Sequence, residues 1–196
     1  KEKALRPAHT KSKMVVNSIV AVNNSELVRY LKKRGISPKT WTPYLEQANY
    51  TNGGFAGCAL AFKNDSEGYE LRTAKFKGCY GNKDITTLLG SPEELLLFEG
   101  FMDFLSFVQL GKWSDESVIV LNSTVNSARA SKQALSLGVG IRVTAYLDND
   151  TAGRDALQAI RNEIPGVIDG SNLYGKFKDL NDMLMKQIQR SNNLSM

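Results

Sequence analysis

Histidine and cysteine are almost missing: 196 residues hold one His and two Cys. His9 lies in a Lys-rich N-terminal stretch, and Cys58 and Cys79 are far apart with no CxxC pair. This excludes a Cys/His zinc finger, an HExxH metalloprotease and a Cys-rich disulfide framework within these residues. A Ser-His-Asp or Cys-His nucleophile would depend on His9, which is poorly placed for it. Two lone cysteines fit a reducing compartment. No run of about 18 apolar residues occurs, so no transmembrane helix is expected. Residues 1–16 also lack the order of a signal peptide. The expectation is a cytoplasmic protein with no membrane partner. The chain opens on Lys1 rather than Met, as a fragment or processed form would. The chemistry left to it uses carboxylates, lysines and a hard metal ion.

What is present is ordinary globular composition, 42% hydrophobic and 23% charged, enough for one domain or one with a smaller companion. Charge is unevenly spread. Residues 1–90 carry 15 Lys/Arg and 7 Asp/Glu; residues 91–196 carry 10 and 13. A basic half joined to an acidic half suits a protein that holds a polyanion on one side and metal ions on the other, although solvated faces can differ this much without a ligand.

Residues 1–24 read as a basic tail. Residues 25–90 read as a small basic α+β subdomain. In it, Ser25 caps a helix to about Arg34 that stops at Gly35, and Ser37-Pro38 starts a second. Residues 55–76 form a hairpin or small sheet with a basic edge. Ser91-Pro92 marks the boundary to residues 91–196. There, short apolar strands (Leu95–Phe98, Val118–Leu121, Ile141–Leu147, Gly166–Ile168) alternate with helices (Phe101–Leu110, Asn126–Leu137, Ala152–Ile164, Leu180–Gln189). That rhythm implies an α/β fold with a parallel sheet flanked by helices.

Ligands of such sheets sit at the carboxyl ends of the strands, and two acidic clusters fall there. Glu99 ends one strand, followed by Gly100, which permits close approach, and Asp103 near the next helix start. Asp148 and Asp150 follow the third strand; residues i and i+2 of extended chain point the same way, so the pair can converge. Packed carboxylates repel, and Mg²⁺ relieves this with oxygen ligands. An EF-hand fails because position five of the loop is Ala152 and position twelve is Ala159. A haloacid-dehalogenase-like DxDx[TV] would follow the first strand, and a glycosyltransferase DxD leaves Glu99-Gly100 unexplained. A third cluster, Lys176 to Asp182, offers Asp179 as a helix cap or as a further metal ligand, and Lys178 as a phosphate contact.

Together these residues resemble the TOPRIM domain, and within that group the catalytic core of a bacterial-type DNA primase of phage, plasmid or mobile-element kind. Glu99-Gly100-Phe101-Met102-Asp103 is similar to EGYMD, Asn122-Ser123-Thr124 to its glycine-threonine loop, Asp148 to Arg154 to DGDxAGR, and Lys178-Asp179-Leu180-Asn181-Asp182 to KDPDE. Tyr30 to Ser37 is similar to the start of the primase N-terminal subdomain. Asn149 departs from a Gly in this pattern and Asn181 from an Asp. The resemblance implies a Rossmann-like TOPRIM fold and metal-dependent primer synthesis on single-stranded DNA from NTPs. Its metal ligands would be Glu99, Asp148, Asp150 and Asp179, on Mg²⁺ or Mn²⁺, and the first three would be catalytic. Lys178, Arg154, Gly100 and Asp103 would meet the nucleotide's phosphates. Lys32, Lys33, Arg34, Arg72, Lys75 and Lys77 would track the template, with Tyr69 and Phe76 as base-stacking or core residues. It also implies a replicative helicase and a zinc-finger domain outside these residues as partners. A TOPRIM nuclease, or a non-catalytic DNA- and metal-binding replication module, would share the same residues.

Overall fold

The computed structural model describes residues 14–138 and 140–194. His9 and most of the expected tail lie outside them. Two five-stranded sheets carry the fold. The first is an antiparallel meander in the order β1-β2-β3-β4-β5: β1 (Val15–Ala21), β2 (Glu46–Asn52), β3 (Phe55–Lys63), β4 (Tyr69–Arg72) and β5 (Lys77–Tyr80). Between β1 and β2 run α1 (Ser25–Lys33) and the short α2 (Pro38–Trp41).

Three expectations are corrected here. The tail to residue 24 contains β1, which pairs along its length with β2. Its mostly exposed, polar-interrupted pattern belongs to an edge strand, which needs no apolar run. The cap of α1 is Asn24 rather than Ser25: its side-chain oxygen accepts the Glu26 and Leu27 N–H groups at 2.9 and 3.3 Å, leaving Ser25 as the first helical residue. The basic edge is two strands joined by a turn, with Phe76 in the turn and Lys77 opening β5.

The second sheet has the order β10-β9-β7-β8-β6. Its strands are β6 (Thr86–Leu88), β7 (Ser91–Phe98), β8 (Glu116–Val120), β9 (Arg142–Tyr146) and β10 (Ile168–Asp169). All neighbours are parallel except β6, which runs antiparallel to β8. So β6, on the N-terminal side of Ser91-Pro92, already belongs to the second sheet. Helices α3 (Phe101–Gln109), α4 (Ser127–Leu137), α5 (Thr151–Glu163) and α6 (Leu180–Leu194) complete the parallel α/β unit. Leu95 to Phe98 and Val118 to Val120 are buried at every position, as strands covered on both faces require. Among the described residues no helix is long and apolar enough to cross a membrane.

One core cluster spans the two sheets. Leu27, Leu31, Leu60 and Phe62 from the first half pack in a single cluster with Phe98, Phe101, Phe104 and Leu184 from the second. The Phe62 and Phe101 rings stack at 5.1 Å with planes 28° apart. Each buried ring contributes about 2–3 kcal/mol of apolar burial, so the seam is packed like a domain interior. Gly35, at φ 75°, ends α1 directly beneath α6; a Cβ there would lie 2.5 Å from Ile188 Cδ1.

Candidate active site

The register of the parallel sheet places the chemistry. Phe98 is level with Val120 on one side and Tyr146 on the other, so the chain leaves β7, β8 and β9 at one height. Glu99, Asn122 and Asp148 emerge there, at the carboxyl ends. They line a cleft of about 290 Å³ whose opposite wall is the first sheet. From the second half come Glu99, Gly100, Asp103, Asn122, Asp148, Asp150, Lys178 and Asp179; from the first, Arg34, Glu70, Arg72 and Lys77. Glu70 and Arg72 share a face of β4 because strand side chains alternate, opposite Phe62 and Leu60 of β3. Stacking of Phe62 on Phe101 therefore sets that wall against the Glu99-Gly100 turn.

Main-chain N–H groups and Lys178 hold the acidic residues in place. Glu99 Oε2 accepts the Asp148 N–H at 3.2 Å. Asp148 and Asp150 converge, each placing an Oδ2 at 3.3 Å from Lys178 Nζ. Asp150 also caps α5, accepting the Gly153 N–H at 3.0 Å, and Asp179 caps α6 through the Asp182 N–H at 2.7 Å. Capping and lining the cleft are thus one position for both residues. The loop carrying Lys178 is fastened by Asn149, one of the two departures from the primase pattern. The Asn149 N–H donates to Lys178 O at 2.7 Å, and its side chain donates to Gly175 O and Phe177 O at 2.7 and 2.9 Å. The Tyr174 hydroxyl bonds Leu147 O. Gly153 is required where it stands: a Cβ would lie 2.1 Å from Asp148 O.

Burial and mutual repulsion raise the carboxyls. Glu99 is pushed up to about 7, by burial first and the Asp148 charge second. Asp148 is raised by burial and by Asp179, with Lys178 opposing. Asp103 lies well above the usual carboxylate range, again by burial, then by Asp179 and Asp148. Asp150 is held below it, chiefly by the Gly153 N–H, and Asp148 raises the Lys178 ammonium. Carboxylates gathered against their own repulsion, all with hard oxygen donors, fit a Mg²⁺- or Mn²⁺-like cation in chemistry. Among the described residues no three His, Cys, Asp or Glu side chains stand close enough to enclose an ion as placed. Lys178 sits between the aspartates as the protein's own counter-charge.

Other candidates divide. A second cavity of about 290 Å³ is lined by Tyr30, Arg34, Arg72, Lys75, Phe76 and Lys77. It shares Arg34, Arg72 and Lys77 with the cleft, so a basic-lined hollow adjoins the acidic site. Lys32 and Lys33 are exposed on α1 and line neither space. Arg154 is exposed on α5, with its guanidinium on Asn149 O at 3.3 Å and Thr151 Oγ1 at 3.4 Å, outside the cleft lining. Tyr69 packs with the small core on the other face of the first sheet. One lining residue escaped the sequence reading, and Asn122 was read only as the start of the loop similar to the glycine-threonine one. Glu70, 8% exposed and raised by burial, was legible only as the strand neighbour of Arg72. Asn122 holds φ 63° and is anchored through Nδ2 to Asp84 O and Thr86 Oγ1, both at 3.0 Å. Asn is the residue after Gly that best tolerates that backbone, which accounts for its standing at the glycine of the glycine-threonine loop.

Comparison with known proteins follows this geometry. Residues 96–184 match a family described as Toprim-like. The DNA primase of Haemophilus influenzae is 33% identical over 100 residues, which are 50% of this chain and 16% of that protein. Residues 96–184 are thus a Toprim-like domain. The primase fragment of the bacteriophage T7 primase-helicase protein shares the fold around this TOPRIM core, with a TM-score of 0.63 at 18% identity, over 92% of this chain and 80% of that one. The T7 primase domain solved with lagging-strand DNA polymerase, an RNA/DNA hybrid and dTTP gives a TM-score of 0.59 at 16% identity, covering 91% of this chain and 89% of that one. Residues 16–81, nearly coincident with the first sheet, match a family described as a domain of unknown function (DUF8464).

Proposed function

We propose that this chain is the catalytic core of a DNA primase-type nucleotidyltransferase, joining NTPs into short primers on single-stranded DNA. The observation that carries this reading is the shared cleft: the acidic strand ends of the TOPRIM sheet and the basic wall of the first sheet line one space, and a basic-lined hollow adjoins it.

Glu99, Asp148, Asp150 and Asp179 would hold Mg²⁺ or Mn²⁺, which supplies charge neutralisation on the triphosphate during in-line transfer. The chain's own groups do the rest. Lys178, released from the aspartates, meets phosphate oxygens of the nucleotide. Arg34, Arg72, Lys75 and Lys77 hold the template backbone in a salt-dependent, sequence-independent manner. Phe76, 39% exposed in the hollow, offers a ring for a base to stack on. Glu99, fixed through Oε2 to the Asp148 N–H, orients the attacking hydroxyl. Gly100, without a side chain, leaves that approach open, and Asp103 keeps the first turn of α3 against the last motif through the Asn181 N–H at 3.3 Å. A replicative helicase and a template-selecting zinc finger are the partners this reading calls for.

The protein incubated with single-stranded DNA, labelled NTPs and Mn²⁺ or Mg²⁺ tests it, with and without an added primase zinc-finger domain. Oligonucleotide synthesis lost in Glu99→Gln and Asp148→Asn is the expected result. Cleavage of the DNA makes the site a nuclease instead, and binding with neither reaction makes it a replication module.

A further inference from the structure

Asn181 stands where the primase pattern has a second aspartate, and its surroundings suit a donor rather than a carboxylate. Its side chain is 0% exposed. Its Nδ2 donates to the main-chain oxygen of Arg34 at 2.9 Å and to Ser106 Oγ at 2.8 Å. The Arg34 carbonyl is one of the orphan acceptors at the end of α1, where the C-cap is Arg34 itself. An aspartate at 181 would set a negative oxygen against that carbonyl. Asn181 is therefore a helix cap supplied by α6 to α1 across the seam between the two halves, two residues from Asp179. Arg34 in turn lines both the acidic cleft and the basic hollow. Its Nε is buried without a hydrogen-bond partner. That atom is out of a ligand's reach, so a phosphate would meet the guanidinium through its terminal nitrogens, whose planar fork fits phosphate oxygens.

We propose that Asn181 is the positioning residue for Arg34, the arginine that the proposed function already sets on a phosphate of the polyanion where the two spaces meet. This deepens, and rests on, the reading of the hollow as a nucleic-acid path. Asn181 takes no part in holding the metal; it fixes the distance between that arginine and the acidic motif.

The test measures binding of a fluorescent oligo-dT by anisotropy in EDTA, ATP binding by calorimetry, and Mn²⁺ binding alone, on the full chain. Arg34→Ala is expected to weaken oligonucleotide binding about tenfold, the loss of one charge-assisted phosphate contact. Asn181→Ala should weaken it about threefold or more, and the double variant no further than Arg34→Ala, because both act through one guanidinium. Asn181→Asp should behave as Asn181→Ala, and Mn²⁺ affinity should stay within about twofold in both. Ser106→Ala, which leaves the bond to Arg34 in place, should bind normally. If Asn181→Ala does not fold, Asn181→Ser carries the same comparison with a smaller cavity. Loss in the oligonucleotide arm marks a backbone phosphate, and loss in the ATP arm a nucleotide phosphate. Additive effects of the two substitutions, or an Asn181→Asp variant that binds Mn²⁺ several-fold tighter, overturns the proposal. Normal binding by Arg34→Ala while Lys75→Ala and Lys77→Ala weaken it removes the Arg34 contact and keeps the hollow as a nucleic-acid path; normal binding by all three removes that path.

Discussion

Raising the pH of the metal-free protein should destabilise it, and Glu99 should be a principal cause. Its folded carboxyl is pushed up to about 7 from 4.5. A group raised on folding stabilises fully below its unfolded value, and that contribution is lost as pH climbs to the folded one. At pH 5 most of it is still present; by pH 8 it is gone. A displacement of this size is worth about 3 kcal/mol at full effect, and partial exposure of the carboxyl reduces it to about 1–2 kcal/mol. For a domain of this size that is about 2–8 °C in Tm. Asp148 and Asp103 are raised by the same burial and repulsion and shift stability in the same direction. Differential scanning calorimetry in EDTA across pH 5–8 measures the slope, and Glu99→Gln isolates the residue. Gln keeps an acceptor for the Asp148 N–H while removing the charge. Its profile should be flatter by about 1–2 kcal/mol, and Mg²⁺ at pH 8 should restore stability to the parent more than to the variant. Parallel profiles for parent and variant would refute the view that Glu99 is held against its own charge.

Gly153→Ala should cost about 3 kcal/mol, because its Cβ meets Asp148 O at 2.1 Å; chemical denaturation of the purified variant checks this. Asn149→Gly, the residue of the primase pattern, should lower stability by about 1–3 kcal/mol through two lost side-chain bonds, read as a fall in Tm. Lys77→Ala should weaken oligonucleotide binding and reduce the slope of log K against log salt by about 0.7, measured by anisotropy from low to moderate ionic strength.

The parallel sheet was legible because its strands are short, wholly apolar and separated by amphipathic helices: Leu95–Phe98 and Val118–Leu121 read as buried before any pairing was known. The first sheet was half hidden. Glu46–Asn52 is strongly polar, and its strand character comes from pairing with β1 and β3 on both sides, which local pattern does not encode. The tail expectation failed at Val15–Ala21 for the same reason. In the site, Glu99 and the Asp148/Asp150 pair were readable from their places after strands. The split among the basic residues was not, because Lys32 and Lys33 lie beside Arg34 in sequence while only Arg34 turns into the cleft. Asn181 reads in sequence as a lost ligand, and only the fold brings Arg34 O within 2.9 Å of it.

In the proposed function the carboxylates at the TOPRIM strand ends gather a cation inside the basic-walled cleft. A crystal grown with Mn²⁺ and an NTP, read by anomalous scattering at the manganese edge, tests it most directly. Mn²⁺ is expected against Glu99, Asp148, Asp150 and Asp179, with Lys178 moved off the aspartates and onto phosphate. Manganese bound elsewhere, or Lys178 still bridging Asp148 and Asp150 with nucleotide present, would contradict it.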